Sequence, residues 1–224
     1  MRRFLTENSL SLFFVAILLL ALLGQSLAGM AEYNSQQIAA GLATVSYGPY
    51  LTSSDFAVDV AENWQSEFLQ FTLYILATVY LVQRGSSESK ELGKVGLESD
   101  SDQKVAEYSR PDSPAWARTR GWRLNLYSRS LTLLMALIFA ASWLAQSVAG
   151  RAAYNEQQLS QLEDPVSWFG YVTSSDFWSR TLQNWQSEFL AVAAMAVFAI
   201  YLRQRGSPES KPVGAAHDST GTEE

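Results

Sequence analysis

Residues 8–31 read NSLSLFFVAILLLALLGQSLAGMA, about 24 residues without a charge between Glu7 and Glu32. A helix rises 1.5 Å per residue and needs about 20 mostly apolar residues to cross about 30 Å of hydrocarbon. The stretch therefore predicts a membrane-crossing helix. Only helices and closed barrels satisfy the backbone inside lipid, and this run is helical in length and composition. A second run, SLTLLMALIFAASWLAQSVAG at 130–150, lies between Arg129 and Arg151. Shorter apolar runs follow each of them, at 68–83 and 189–202. Four spans are expected, over about 8–31, 64–84, 129–150 and 185–204.

The first span, behind Arg2 and Arg3, also has the outline of a cleaved signal peptide, with Ser26-Leu27-Ala28 as a small-residue cleavage site. Two features favour a retained span. The run is long for a signal, and its Gln-Ser-x-Ala-Gly ending recurs at 146–150, where no leader peptide stands.

That recurrence is part of a larger one. At an offset of 121 residues the two halves align without a gap: YNSQQ (33–37) meets YNEQQ (154–158), and TSSDF (52–56) recurs at 173–177. NWQSEFL (63–69) recurs at 184–190, and QRGSSESK (83–90) meets QRGSPESK (204–211). Roughly 39 of 86 aligned positions are identical between 5–90 and 126–211. The chain thus reads as a tandem duplication of a two-span hairpin. Both copies enter from the same side, so the expected product is a pseudo-twofold four-helix bundle with its axis along the membrane normal. The expected organisation is a first hairpin at 1–90, a disordered linker at 91–117, a second hairpin at 118–211 and a disordered tail at 212–224. Linker and tail are Ser-, Asp- and Glu-rich and too polar to bury a core.

Of the 16 lysines and arginines, all but Arg151 and Arg180 fall in the N-terminus, the 84–129 segment or the C-terminal segment. Cytoplasmic loops carry such an excess, which predicts cytoplasmic termini and linker and two outer loops of about 35 residues.

Composition removes several chemistries. A net charge of −6 gives no basic face for nucleic acid. Without cysteine there are no disulfides, thiolate nucleophiles or thiolate metal ligands. The single histidine, His217, lies in the polar tail, so a histidine-built metal or catalytic site is not expected. No cofactor is expected.

The informative polar residues lie at the outer ends of the spans. Thr52 and Thr173 stand as N-caps, with Asp55 and Asp176 as capping-box partners, opening a helix from about Ser53 to Arg84. Aromatics there (Tyr47, Tyr50, Trp64; Trp168, Tyr171, Trp185) read as a belt at the headgroups, with a surface for an outer partner as the sharper alternative. The uncharged parts of spans two and four cover only roughly 24 and 21 Å, which draws Glu67 and Glu188 to the outer boundary of the bilayer. Gln25, Ser26, Gln65, Gln146, Ser147 and Gln186 lie at similar height and are available to satisfy them. This belt reads first as glue that fixes helix register. The alternative is a proton, cation or solute site at Glu67 and Glu188, because intramembrane carboxylates mark such paths. Small residues at Gly24-x-x-x-Ala28 with Gly29, and Ala145-x-x-x-Ala149 with Gly150, allow close helix contact. Each QRGSxESK segment reads as a helix exit, with arginine against the helix end and glycine as left-handed cap. A phosphate loop would open a helix, not close one.

The NSLSL start, the GQSLAG ending of the first span, both NWQSEFL segments and both QRGSxESK exits resemble an uncharacterised family of bacterial membrane proteins, catalogued as a domain of unknown function. The resemblance covers nearly the whole chain and implies a bacterial inner-membrane location, without an activity. The expected role is structural or partner-binding in the envelope, with the bilayer and either a second copy or another membrane protein as partners. A small transporter or channel component is the alternative, and no enzyme is expected.

Overall fold

The computed structural model describes residues 2–221; Met1 and the last three residues of the tail lie outside the described residues. Every regular element among them is helical. Helices α1 (Arg2–Glu7), α2 (Ser9–Ala39), α3 (Tyr47–Leu51) and α4 (Ser54–Tyr80) are followed by α5 (Trp122–Tyr127), α6 (Ser130–Ser160), α7 (Trp168–Val172) and α8 (Ser175–Tyr201). One 3-10 turn, Ala106–Tyr108, interrupts the 81–121 segment. The bounds of α2, α3 and α4 recur in α6, α7 and α8 at the 121-residue offset.

Helices α2 and α6 are long and apolar enough to cross a membrane. Of their most apolar stretches only 6% and 17% is buried within the protein, whereas a helix at the core of a soluble protein is mostly buried. Both run 31 residues, about 46 Å at 1.5 Å per residue, well past the apolar runs. The expected outer loops are therefore mostly helix. Their polar sequences, EYNSQQIA and YNEQQLS, contain neither Gly nor Pro and continue the ladder.

Each long helix stops on the same motif. The Leu42 N–H reaches Gln37 O at 2.8 Å and the Gly41 N–H reaches Ile38 O at 3.0 Å, with Gly41 in the left-handed region at φ 73°. In the other copy Glu163 N bonds Gln158 O at 2.8 Å, Leu162 N bonds Leu159 O at 3.1 Å, and Leu162 takes φ 63°. This is a Schellman ending.

The helix starts and ends correct two expectations. Ser53, not Thr52, caps α4: its Oγ accepts the Phe56 N–H at 3.2 Å, as Ser174 Oγ accepts that of Phe177. The Thr52 hydroxyl instead donates to Pro49 O at 3.1 Å and closes α3, as Thr173 closes α7 on Phe169 O. At the other end α4 and α8 stop at Tyr80 and Tyr201, short of the arginines. The Gln83 N–H leaves the ladder for Ser89 Oγ, and that of Gln204 for Ser210 Oγ, both at 2.9 Å. Gly85 and Gly206 have φ of 84° and 83°, but they serve the turn after the helix. The guanidinium on the end of α8 belongs to Arg203, which donates to Ala199 O and Ile200 O.

The chain forms two compact units, Met1–Ala61 with Ala145–Phe177, and Glu62–Leu144 with Trp178–Glu224. In the first, Asn34 clips the chain leaving α2. Its Nδ2 donates to Val45 O at 3.0 Å and its Oδ1 accepts the Val45 N–H at 2.8 Å. Asn155 holds Val166 at the same two distances. In the second, the Lys211 ammonium donates to the carbonyls of Ala216, His217 and Ser219, and the Gly221 N–H bonds Ser86 O. Burial is the main cause that holds Lys211 below the usual lysine range.

Candidate functional site

In the first unit the belt serines hold aromatic side chains. Ser26 is buried, donates its proton to Leu23 O at 2.8 Å, and lies 2.7 Å from the Tyr47 hydroxyl. With the serine proton on the Leu23 carbonyl, Tyr47 is the donor and Ser26 Oγ the acceptor. In the other copy Trp168 Nε1 donates to Ser147 Oγ at 3.0 Å. An indole nitrogen only donates. The exchange of Tyr47 for Trp168 between copies thus preserves a donor on a buried serine oxygen. Gln146 is fully buried, while Gln25 is half-buried.

Beneath these pairs sits an aromatic triad in each copy. Tyr50 packs 5.8 Å from Tyr33 and 5.5 Å from Phe56. Tyr171 packs 5.6 Å from Tyr154 and 5.5 Å from Phe177. The hydroxyls of Tyr50 and Tyr171 rest on α2 and α6 where Gly29 and Gly150 leave no side chain. The small-residue faces therefore receive a tyrosine at these glycines, and the space over Gly24 is open. Burial first, then the charges of Asp59 and Asp55, raise the Tyr50 phenol above its ordinary range. Tyr33 donates to Glu156 Oε1 at 2.9 Å, which also accepts from Gln37 at 3.3 Å. Burial, then this hydrogen bond and the carboxylate charge, push Tyr33 up to about 12. The clip and the Tyr33–Glu156 tie escaped the sequence reading; their one signal was the YNxQQ identity.

In the second unit, Gln65 is 0% exposed and both ends of its amide are bonded. Oε1 accepts from Trp185 Nε1 at 2.8 Å, and Nε2 donates to Glu62 O at 3.1 Å. Arg180 pairs with Glu62 at 3.3 Å, and Trp185 and Trp178 pack against Trp143 at 5.9 and 6.1 Å. Ser66 is buried, donates to Asn63 O at 2.9 Å, and lies within hydrogen-bonding reach of Glu188. Glu67 is close enough to act on Glu188 through its charge. Glu188 is half-buried and Glu67 is exposed, as is Gln186, the 121-shifted counterpart of Gln65. The unit thus joins Gln65 to Trp185, and Ser66 and Glu67 to Glu188, and leaves Gln186 at the surface.

An open cleft of about 830 Å³ lies beyond the end of α4, lined by residues that include Tyr74, Glu88, Lys90, Lys94 and Glu98. Its charges pair among themselves: Tyr74 donates to Glu88 at 2.5 Å, Lys90 meets Glu98 at 2.9 Å, and Lys94 meets Glu91 at 3.1 Å. Among the described residues no group of three His, Cys, Asp or Glu side chains is placed to hold a metal ion.

A family described as a domain of unknown function, DUF6766, matches residues 1–222, and the chain belongs to that family. No curated protein and no solved structure matches the chain.

Proposed function

We propose that this member of the family is a four-span membrane protein of the bacterial cell envelope with a structural or partner-binding role. Two copies of one hairpin form its bundle, and termini and linker are cytoplasmic. The observation that carries the role is the buried Gln65 amide, bonded at one end to Trp185 and at the other to the Glu62 carbonyl. A buried amide bonded at each end within the protein fixes register, which is a structural use of that side chain. The serine oxygens beneath Tyr47 and Trp168 support the same reading. The matched bounds of α2–α4 and α6–α8 support the duplication. The exposure of the apolar stretches of α2 and α6 supports the membrane setting.

A second reading has its own observation: Glu188 is half-buried, within hydrogen-bonding reach of Ser66 and of the charge of Glu67. Carboxylates so placed in a membrane mark ion or proton paths. Proteoliposomes holding a pH-sensitive or cation-sensitive dye separate the two. The structural role expects the flux of empty vesicles. A protein-dependent flux that Glu67→Gln or Glu188→Gln abolishes overturns it and establishes the transport reading.

A further inference from the structure

We propose that residues 110–129 form a docking surface for the anionic lipid headgroups of the cytoplasmic leaflet. The inference rests on the four-span reading with the linker inside. This chain of net charge −6 concentrates Arg110, Arg118, Arg120, Arg123 and Arg129 in twenty residues. Against them, between 106 and 129, stand only Glu107 and Asp112, a local net charge of +3. Basic clusters directly cytoplasmic of a membrane helix are drawn to anionic lipid.

The position of the cluster is fixed by the helix it leads into. Helix α5 ends at Tyr127 and α6 begins at Ser130, with Ser128 and Arg129 between them. If α6 enters the bilayer there, α5 lies at headgroup height.

The segment is folded so as to present aromatics beside its charges. Ala106 N bonds Ala117 O at 2.8 Å and Thr119 N bonds Trp116 O at 3.2 Å, a turn that sets Trp116 edge-on to Trp122 at 6.2 Å. Trp122 is 67% exposed, and the Arg123 guanidinium lies 5.5 Å from its ring centre. Indoles with an apolar body and one polar edge concentrate at the headgroup level, and a neighbouring cation adds attraction to lipid phosphate. Leu126 and Tyr127 are also exposed. The N-terminal copy has the same arrangement in reduced form: α1 stands one residue before α2, with Arg3, Phe4 and Leu5 exposed.

The chain has no cysteine, so Ala115→Cys gives a single dye site beside Trp116. A polarity-sensitive fluorophore there is read in full-length protein in nanodiscs of zwitterionic lipid with and without phosphatidylglycerol. The expected result is blue-shifted emission and quenching by nitroxide-labelled lipid only when anionic lipid is present. The shift should reverse in about 1 M salt, where screening acts within about 3 Å. It should also vanish when Arg110, Arg118, Arg120 and Arg123 are together replaced by Gln. Equal emission in both lipids, salt-insensitive emission in the parent, or a shift that survives the replacement overturns the proposal. The salt series needs no variant of the arginines, so it decides even if the fourfold variant fails to fold. A membrane-impermeant maleimide on intact cells tests the underlying topology separately. Labelling at Ala115→Cys but not at Leu42→Cys would reject the cytoplasmic linker, whatever the nanodiscs report.

Discussion

Alanine at Gly29 and at Gly150 should both destabilise the protein, and they should respond differently to the same rescue. A glycine within a helix costs about 1 kcal/mol relative to alanine, so helix propensity alone predicts that either substitution stabilises. The packing predicts the opposite. A Cβ at Gly29 would lie 2.1 Å from Tyr50 Oη, 3.1 Å from Cζ and 3.6 Å from Cε1. At Gly150 the corresponding distances to Tyr171 are 2.4, 2.9 and 3.0 Å. Neither ring has room to move, since Tyr50 is 2% and Tyr171 0% exposed and each is packed between two aromatic neighbours. Overpacking of this kind costs about 1–3 kcal/mol. After the propensity gain a net loss of up to about 2 kcal/mol remains, or a melting midpoint lower by up to about 8 °C for a chain of this size. At Gly29 the severe overlap is with the hydroxyl, so adding Tyr50→Phe should restore most of the loss. At Gly150 the ring carbons collide as well, so adding Tyr171→Phe should restore only part. Thermal unfolding in mild detergent, followed by tryptophan fluorescence, measures all four variants. Single alanine variants as stable as the parent would refute the packing argument, and equal rescue at both sites would refute the assignment of the Gly150 clash to the ring.

Leu162 holds a left-handed backbone where the other copy has Gly41, and it is 95% exposed. Leu162→Gly should therefore raise stability by about 1 kcal/mol, and a lower midpoint would contradict the Schellman ending. Asn34→Ala or Asn155→Ala removes both bonds to one residue of the following turn, at a cost of about 1–3 kcal/mol. Hydrogen exchange should speed up at Val45 or Val166, and unchanged protection would refute the clip. Tyr33 keeps in the folded state a proton that the unfolded chain releases near 10.0, so its contribution to stability is intact below pH 10 and lost as pH rises toward about 12. Tyrosinate absorbance should show a late-titrating phenol that Glu156→Gln shifts earlier; an unmoved titration would reject the contact. Gln65→Ala should destabilise by about 1–3 kcal/mol, because it empties a fully buried site and takes the acceptor from the half-buried Trp185 N–H, whereas Gln186→Ala should fall within about 0.5 kcal/mol of the parent. Equal effects at the two positions would overturn the asymmetry.

The sequence carries the parts of the fold that depend on long stretches of chain. An uncharged run of about 24 residues is legible as a helix long and apolar enough to cross a membrane, and a gapless offset places the matching element in the second half. Decisions made by one or two hydroxyls were harder to read. Thr52 and Ser53 are adjacent and both are good caps, and which one takes the Phe56 N–H depends on whether a short helix ends just before. Helices α3 and α7 span five residues each, too few to show a helical period. The end of α4 depends on Ser89, six residues past the N–H that it captures. Arginine and glycine both stand near that end and suggest a cap, but only the folded turn shows that the helix has already finished.

The belt exposes a deeper limit, because the heptapeptide NWQSEFL occurs twice and takes two environments. In the first copy Gln65 and Ser66 are buried and Trp64 is 43% exposed. In the second copy Trp185 turns inward to bond Gln65, while Gln186 and Ser187 face outward. No local rule separates seven identical residues, so the difference must arise outside them. The flanking sequence offers a cause: Trp143 and Trp178, which pack on Trp185, replace Leu22 and Ala57 of the first copy. Two indoles make an aromatic bed for Trp185 that a leucine and an alanine cannot provide for Trp64. The polar belt is thus asymmetric through its apolar neighbours. A function assigned to either glutamate has to be tested on each copy separately, since Glu67 and Glu188 share a sequence context but not a degree of burial.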